Sequence, residues 1–325
     1  MIEKKILLFG MPRSGTTWIG KILNSQPDTL YRHEPDSWGL LNDVPLLPRV
    51  DQAMQYAQTI NRFIESIPRM HQTKVSATLP IFRQNYLSPS RFHLHRISNV
   101  SSLFLARFLG EISMPQFVNY KADNDLHLIW KSVESLGRLG VIARVAKDCR
   151  AVHLVRHPCG YISSVLRGER RKKFTSTLPS SEDYNLLEML MQTEQAQAQQ
   201  LTLDRLKKMT HVERLAWRWV LVNEKALDDI SDVENCTTVK YENFCEDPEG
   251  SARRIFQFVG LGWHPQVEKF LLESTARDRN AYYSIFKDPI KSANKWRDEL
   301  SARDIAAILR IAEKSKVGRL YLEQE

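Results

Sequence analysis

Residues 4–23, KKILLFGMPRSGTTWIGKIL, carry the most chemically specific spacing in the chain. Gly10 and Gly15 enclose four residues, the interval at which a loop between a strand and a helix can cradle phosphate oxygens with its backbone N–H groups. A nucleoside-triphosphate loop continues with a lysine that reaches the outer phosphates, then with a Ser or Thr whose hydroxyl binds magnesium. Here Thr16 stands in the lysine's place and Thr17 follows it. The nearby cation is Arg13, whose guanidinium can pair bidentately with two oxygens of a phosphate or sulfonate. The pattern keeps an anion cradle and drops the central charge of triphosphate chemistry. Taken without its neighbours, the same glycine spacing also describes a tight turn and a helix cap.

Such a loop needs a strand to aim it and a helix to align its amides. KILLFG at 5–10 is apolar on both faces, as are LHLIWK at 126–131, AVHLVRH at 151–157 and TTVKYEN at 237–243. Runs of this kind separated by helical stretches predict an α/β fold with a mostly parallel sheet flanked by helices. Trp18, Ile19, Ile22 and Leu23 share one helical face, so a helix opens directly after the loop. Between Asp36 and Asp125 the pattern yields amphipathic pieces such as QAMQYAQTINRFIESI and no strand. A largely helical insertion at about 40–125 is expected over the carboxyl edge of the sheet, where α/β proteins bind ligands. A long helical zone follows at about 188–230, with Trp217 and Trp219 read as packing residues. Asp247 with Pro248 opens one later helix and Ser301 with Asp304 opens the last. Without repeats or a linker, residues 1–325 are expected to form a single domain.

The 325 residues carry 46 Lys plus Arg against 38 Asp plus Glu, a net charge of +8. That excess suits a polyanionic ligand, and by itself it suits nucleic acid equally. The basic run Arg167, Arg170, Arg171, Lys172 and Lys173 either guides such a ligand or is a solvated face. Four cysteines are too few and too dispersed for a disulfide framework or paired zinc spacing, and His93 and His95 lack a third ligand, so no metal is expected. No stretch approaches the roughly 18 apolar residues of a membrane helix, and the first strand starts at once, which reads as a cytoplasmic protein with no membrane partner. Were the chain part of a lumenal enzyme, Asn99 and Asn235 would be glycosylation acceptors.

PRSGTTW resembles the 5′-phosphosulfate loop of the sulfotransferases, which take a sulfuryl group from 3′-phosphoadenosine 5′-phosphosulfate. The resemblance implies that Arg13, Ser14, Gly15, Thr16, Thr17 and Trp18 hold the donor without magnesium and that adenosine 3′,5′-bisphosphate is released. VHLVRHPCGYISSVLR is similar to the family's second site, which implies that Arg156 and Ser164 recognise the 3′-phosphate. VKYENF resembles the strand end that sets a tyrosine near the adenine, implying Tyr241. SANKWRDELSARD resembles the basic-aromatic stretch that closes over the nucleotide, implying Lys295, Trp296 and Arg297. IWKS aligns with the strand end whose lysine lies beside the sulfuryl group, implying Lys131.

Cytosolic phenol and steroid sulfotransferases place a basic histidine two residues after that lysine, where this chain has Val133. SQPDTLYRHEPDSW instead resembles the glutamate-bearing segment of carbohydrate, tyrosylprotein and several bacterial sulfotransferases, which implies Glu34 as the base, with His33 and Glu134 as rivals. The implied reaction is in-line transfer to an acceptor hydroxyl, a glycan ahead of a small-molecule alcohol or tyrosyl group, with Arg13 and Lys131 stabilising charge. A P-loop kinase and a non-catalytic basic nucleotide- or nucleic-acid-binding protein are the alternatives. The sulfotransferase reading needs no nucleic-acid partner.

Overall fold

The computed structural model describes residues 2–38, 41–115, 126–173, 178–276 and 285–322. Its centre is a five-stranded sheet in the order β2-β3-β1-β4-β5, built from β1 (Ile2–Gly10), β2 (Thr29–His33), β3 (Leu126–Ser132), β4 (Cys149–Val155) and β5 (Cys236–Lys240). Every neighbouring pair is parallel. Parallel neighbours require crossovers, so all five carboxyl ends lie along one edge.

Side chains alternate across a strand, and β1 uses both faces. Leu7 and Phe9 join Trp130 and Ala151 in one core, while Ile6 and Leu8 join Ile129 and Val152 in the other. Burial on both sides explains why these strands read as unbroken apolar runs.

Helix α1 (Thr16–Asn24) packs Trp18, Ile19, Ile22 and Leu23 into the second core, as its spacing predicts. The segment before β3 holds α2 (Ala57–Ser66), α3 (Thr73–Ser76) and α4 (Pro89–Leu109). Residues 116–125 of the expected insertion lie outside the described residues. Helices α5 (Leu139–Val145) and α6 (Pro158–Arg170) flank β4 in sequence. Then come α7 (Tyr184–Met191), α8 (Glu194–Ala198), α9 (Leu203–Lys207) and α10 (His211–Asp229). Trp217 and Trp219 of α10 are buried, as packing residues should be.

After β5 come α11 (Tyr241–Glu246), α12 (Pro248–Val259) and α13 (Pro265–Ala276), then α14 (Pro289–Asn294), α15 (Trp296–Glu299), α16 (Ala302–Ala312) and α17 (Lys316–Leu322). Asp247 caps α12 by accepting from Gly250 N at 2.9 Å, and Ser301 caps α16 by accepting from Asp304 N at 3.1 Å. All four cysteines are free thiols. Asn99 is buried, with its carboxamide donating to His95 O, and the half-buried Asn235 carboxamide donates to Cys149 O. Among the described residues no helix is long and apolar enough to cross a membrane.

Two differences from the sequence reading concern the site. Strand β2 lies in TLYRH, where no strand was expected, because a five-residue edge strand that mixes apolar and basic residues gives little periodic signal. Tyr241 does not end β5; it opens α11.

Candidate active site

Each strand delivers its contribution at the carboxyl edge. The loop after β1 occupies the middle, with Arg13 at φ 72 and Gly15 at φ 95 in left-handed backbone. Glycine is required at 15 for a second reason. A Cβ there would lie 2.3 Å from the Tyr241 ring, so only a bare backbone fits beneath the tyrosine. Ser14 is consumed by the turn itself, its hydroxyl donating to Met11 O at 2.6 Å. Thr16 and Thr17 open α1, where the first N–H groups have no intrahelical acceptor and favour an anion. Trp18 follows on the first turn of α1. Its indole is buried against Tyr241 and Phe244 and donates to Ser274 Oγ at 3.0 Å.

On the β4 and β5 side, Arg156 is buried and follows the last residue of β4. Its Nη1 donates to Arg13 O at 2.9 Å and its Nη2 to Ser292 O at 2.8 Å. The guanidinium lies 4.9 Å from the Tyr241 ring centroid. Nε is buried with no acceptor, an orphaned donor of the kind an anionic oxygen would satisfy. Gly160 makes room for it, since a Cβ there would approach Nε to 3.0 Å. Ser164 lies one helical face further on and accepts from Arg13 Nε at 3.1 Å, which ties the loop to the second site.

The 289–299 segment closes this side. Trp296 is buried and stacks on His157 with centroids 4.8 Å apart and planes 7° apart. The Arg297 guanidinium lies 4.5 Å from the centroid of that indole, and Lys295 is exposed. Arg167 is not a free guide for a ligand. It pairs with Glu299, which also accepts from Ser163, and so clamps α6 to α15.

Lys287 was absent from the sequence reading and belongs here. Burial first, then Arg13, Arg167, Arg156 and Lys295, hold its pKa down at about 8. Several cations converging on one partly buried point are what a multiply charged anion would neutralise.

On the β2 and β3 side, the Lys131 ammonium is ion-paired with Glu34. Glu34 leaves β2 in left-handed backbone at φ 49, a conformation that costs a non-glycine residue on the order of 1–3 kcal/mol. Two devices hold it. The Glu34 N–H donates to Lys131 O at 2.7 Å, and Asp36, two residues on, is locked under the strand ends. Asp36 accepts from Trp130 Nε1 at 3.2 Å, from Ser135 Oγ at 2.6 Å and from Ser132 Oγ. Sequence reasoning missed Asp36 because its partners lie some hundred residues away.

The electrostatics separate the three candidate bases. Burial pushes the Glu34 carboxyl up, but Lys131, His33 and Lys74 pull it below its ordinary value. Burial, then Lys131, depress His33 to about 3, leaving a neutral ring that shares a hydrogen bond with Tyr31 Oη at 3.0 Å. Glu134 is shifted upward by burial and by Asp36 and Glu34. Lys131 itself is lowered by burial and partly restored by Glu34.

A parallel sheet with a glycine loop after its central strand, and with cations gathered at the adjoining strand ends, defines a P-loop-type α/β protein shaped to hold a phosphorylated ligand. The chain belongs to the sulfotransferase family, whose sequence model matches residues 5–265. Human carbohydrate sulfotransferase 3 is 21% identical over 325 residues, covering 91% of this chain and 62% of the relative. Mouse carbohydrate sulfotransferase 2 is 30% identical over 73 residues, covering 22% of this chain and 14% of the relative. The chain therefore spans less than two thirds of these relatives. Among solved structures, the sulfotransferase domain from the curacin biosynthetic pathway aligns with a TM-score of 0.44 at 15% identity, covering 95% of this chain and 96% of that one. Mouse sulfotransferase SULT7A1 complexed with PAP aligns with a TM-score of 0.44 at 13% identity, covering 100% and 90%. The family match ends before Lys287, which is placed here by geometry, and before residues 295–297, which are read from the resemblance of SANKWRDELSARD.

Proposed function

We propose that the chain is a sulfotransferase that uses 3′-phosphoadenosine 5′-phosphosulfate, with Glu34 as the base that takes the acceptor proton. One observation carries the reading: an ion-paired carboxylate on the β2 and β3 ends and an arc of cations gathered around Arg13 after β1 and Arg156 after β4 share one edge. The donor supplies a sulfuryl group on a good leaving group, and the rest is positioning and charge.

Arg156 Nε meets an oxygen of the 3′-phosphate, with Ser164 and Lys287 beside it, and this selects the donor over ATP. The loop amides from Gly15 to Thr17 and the Arg13 guanidinium receive the 5′-phosphate, and Tyr241 walls the adenine. Lys295, Trp296 and Arg297 cover the nucleotide. With the acceptor hydroxyl in place, Glu34 takes its proton as the acceptor oxygen bonds to sulfur and the sulfur–oxygen bond to the 5′-phosphate breaks, its electron pair staying with the departing adenosine 3′,5′-bisphosphate. Lys131 turns from Glu34 to the charge that grows on the transferring and leaving oxygens. Losing that partner also lets burial raise the Glu34 pKa, which makes the carboxylate a stronger base at the moment it is needed. No residue in this sequence of events requires a metal.

The acceptor in this reading is a glycan hydroxyl, supported by the names of the two carbohydrate sulfotransferases the chain resembles. Incubation with sulfur-labelled donor and a panel of oligosaccharides, small alcohols and tyrosyl peptides tests it. Label should pass to an oligosaccharide and not to the other two classes. Transfer to tyrosyl peptide alone would refute the glycan assignment and leave the sulfuryl chemistry standing.

A further inference from the structure

Helix α4 turns its apolar side outward. Leu94, Ile97, Val100, Phe104 and Phe108 recur at steps of three or four residues, which sets them along one side of the helix. All five are exposed, Ile97 at 62%, Phe104 at 58% and Phe108 at 73%, and exposed Leu105 widens the stripe. The two phenyl rings pair with each other, their centroids 5.3 Å apart. The side turned to the protein carries Asn99 and Ser102 instead, both buried, with the Asn99 carboxamide donating to His95 O at 3.0 Å. A helix on a surface facing only water buries its apolar stripe and shows its polar one, so the reversed arrangement marks a surface built for a partner.

The charges on this helix have one sign. Arg91, His93 and Arg96 are exposed, and residues 89–109 contain no Asp or Glu. The nearest carboxylate in sequence, Glu111, is engaged elsewhere, its Oε1 accepting from Lys74 N at 2.8 Å. Arginine stems can lie along apolar surface while their guanidinium groups reach outward, so an apolar stripe with exposed arginines on the same helix matches a bilayer interface with anionic headgroups. A second copy of the chain matches less well. A two-fold contact sets a patch against itself, and here it would bring cations together with no carboxylate between them.

We infer that α4 docks the chain on the surface of an anionic phospholipid bilayer, with Ile97, Phe104 and Phe108 at the acyl boundary and Arg91 and Arg96 on lipid phosphates. The helix lies in the interface and does not cross it, because its inner side is polar and no described helix is long and apolar enough to span. Such a helix needs an apolar face and not an apolar run, so a scan for long apolar stretches passes over it. The docked helix is tied to the reacting edge through α3. Gln72 and Ser113 form a bridge, Thr73 N donates to Ile112 O at 2.9 Å, and α3 packs on β2, with Lys74 among the charges acting on Glu34. None of the lipid-facing residues belongs to the proposed donor or acceptor site, so docking and sulfuryl transfer stand or fall separately.

Sedimentation of the full chain with phospholipid vesicles tests it, using phosphatidylcholine alone and phosphatidylcholine mixed with phosphatidylserine. The mixed vesicles should bind the chain tighter than phosphatidylcholine alone by on the order of tenfold or more, and the difference should shrink at high salt. Phe104→Ser combined with Phe108→Ser should weaken binding to the mixed vesicles by on the order of tenfold or more. Arg91→Gln combined with Arg96→Gln should erase the preference for phosphatidylserine. Both pairs change exposed side chains, so the melting temperature should match that of the native chain, and the result does not depend on the folding of one variant. Absence of binding, equal binding to the two vesicle types, or binding that neither double variant weakens would overturn the docking. A vesicle-free dimer that the phenylalanine variant dissociates, in a chain that ignores vesicles, would also overturn it and assign the stripe to a second copy.

Discussion

Lys131 and Glu34 are ion-paired across the carboxyl ends of β3 and β2, with side-chain exposures of 2% and 27%. Neither charge is expendable for the other: the lysine is too buried to stand alone, and the carboxylate owes its depressed pKa to the lysine. Glu34→Gln keeps the shape and cannot take a proton. Turnover should fall by on the order of a hundredfold to ten-thousandfold, with nucleotide affinity retained. Melting temperature should also drop, because Lys131 loses its counter-charge. His33→Ala and Glu134→Gln, assayed in parallel, should cost much less. Near-normal turnover in Glu34→Gln with a collapse in either of the others would move the role to that residue.

Asp36 is predicted to act through Glu34 as a positioning residue. Asp36→Asn turns a donor toward the Ser132 and Ser135 hydroxyls, loosening the anchor behind the base. A misplacement of this kind should lower kcat by on the order of tenfold to a hundredfold while the nucleotide Kd stays the same. The readout that separates this from simple destabilisation is the acidic limb of the kcat/KM profile. In the native chain Glu34 must be ionised, so activity is present above its pKa and lost as pH falls through a value below the ordinary 4.5. In Asp36→Asn, with the pairing to Lys131 loosened, that limb should move up.

Arg156 should discriminate the 3′-phosphate. Arg156→Ala should weaken adenosine 3′,5′-bisphosphate by on the order of tenfold to a hundredfold and adenosine 5′-phosphosulfate far less, since the latter has nothing to offer Nε. Ser164→Ala should act in the same direction and more weakly. Equal losses for both nucleotides, measured by calorimetry, would remove the assignment.

Lys287 gives nucleotide binding a pH signature. Its pKa in the free chain is about 8, and a bound polyanion favours the ammonium, so the bound value is higher. Affinity should therefore be constant well below 8 and decline as pH rises from about 8 toward the bound pKa. Lys287→Met should flatten that decline and weaken binding at pH 7. An unchanged decline in the variant would place the titrating group elsewhere.

What the sequence revealed followed from contiguity. The loop at 10–17 and the pair Arg156 and Ser164 each lie on one short strand–turn–helix stretch, so residue type and spacing carry their geometry directly. Glu34 could be named by resemblance, but its left-handed backbone and its pairing with Lys131 depend on β2, a strand too short to announce itself. Asp36 and Lys287 were hidden for a common reason. Each acquires its meaning from partners distant in sequence: Asp36 from Trp130, Ser132 and Ser135, Lys287 from Arg13 and Arg156.

The central claim, that this edge holds a 3′-phosphorylated sulfuryl donor and not a triphosphate, is tested most directly by ligand-dependent melting temperature. Binding to the native state alone raises it by mass action, by about 2.7 kcal/mol of stability at a ligand concentration of 100 times Kd. Adenosine 3′,5′-bisphosphate should raise it more than ATP or AMP does at equal concentration, and by the same amount with or without a magnesium chelator. Equal or larger stabilisation by magnesium-ATP would contradict the account and assign the loop to a kinase.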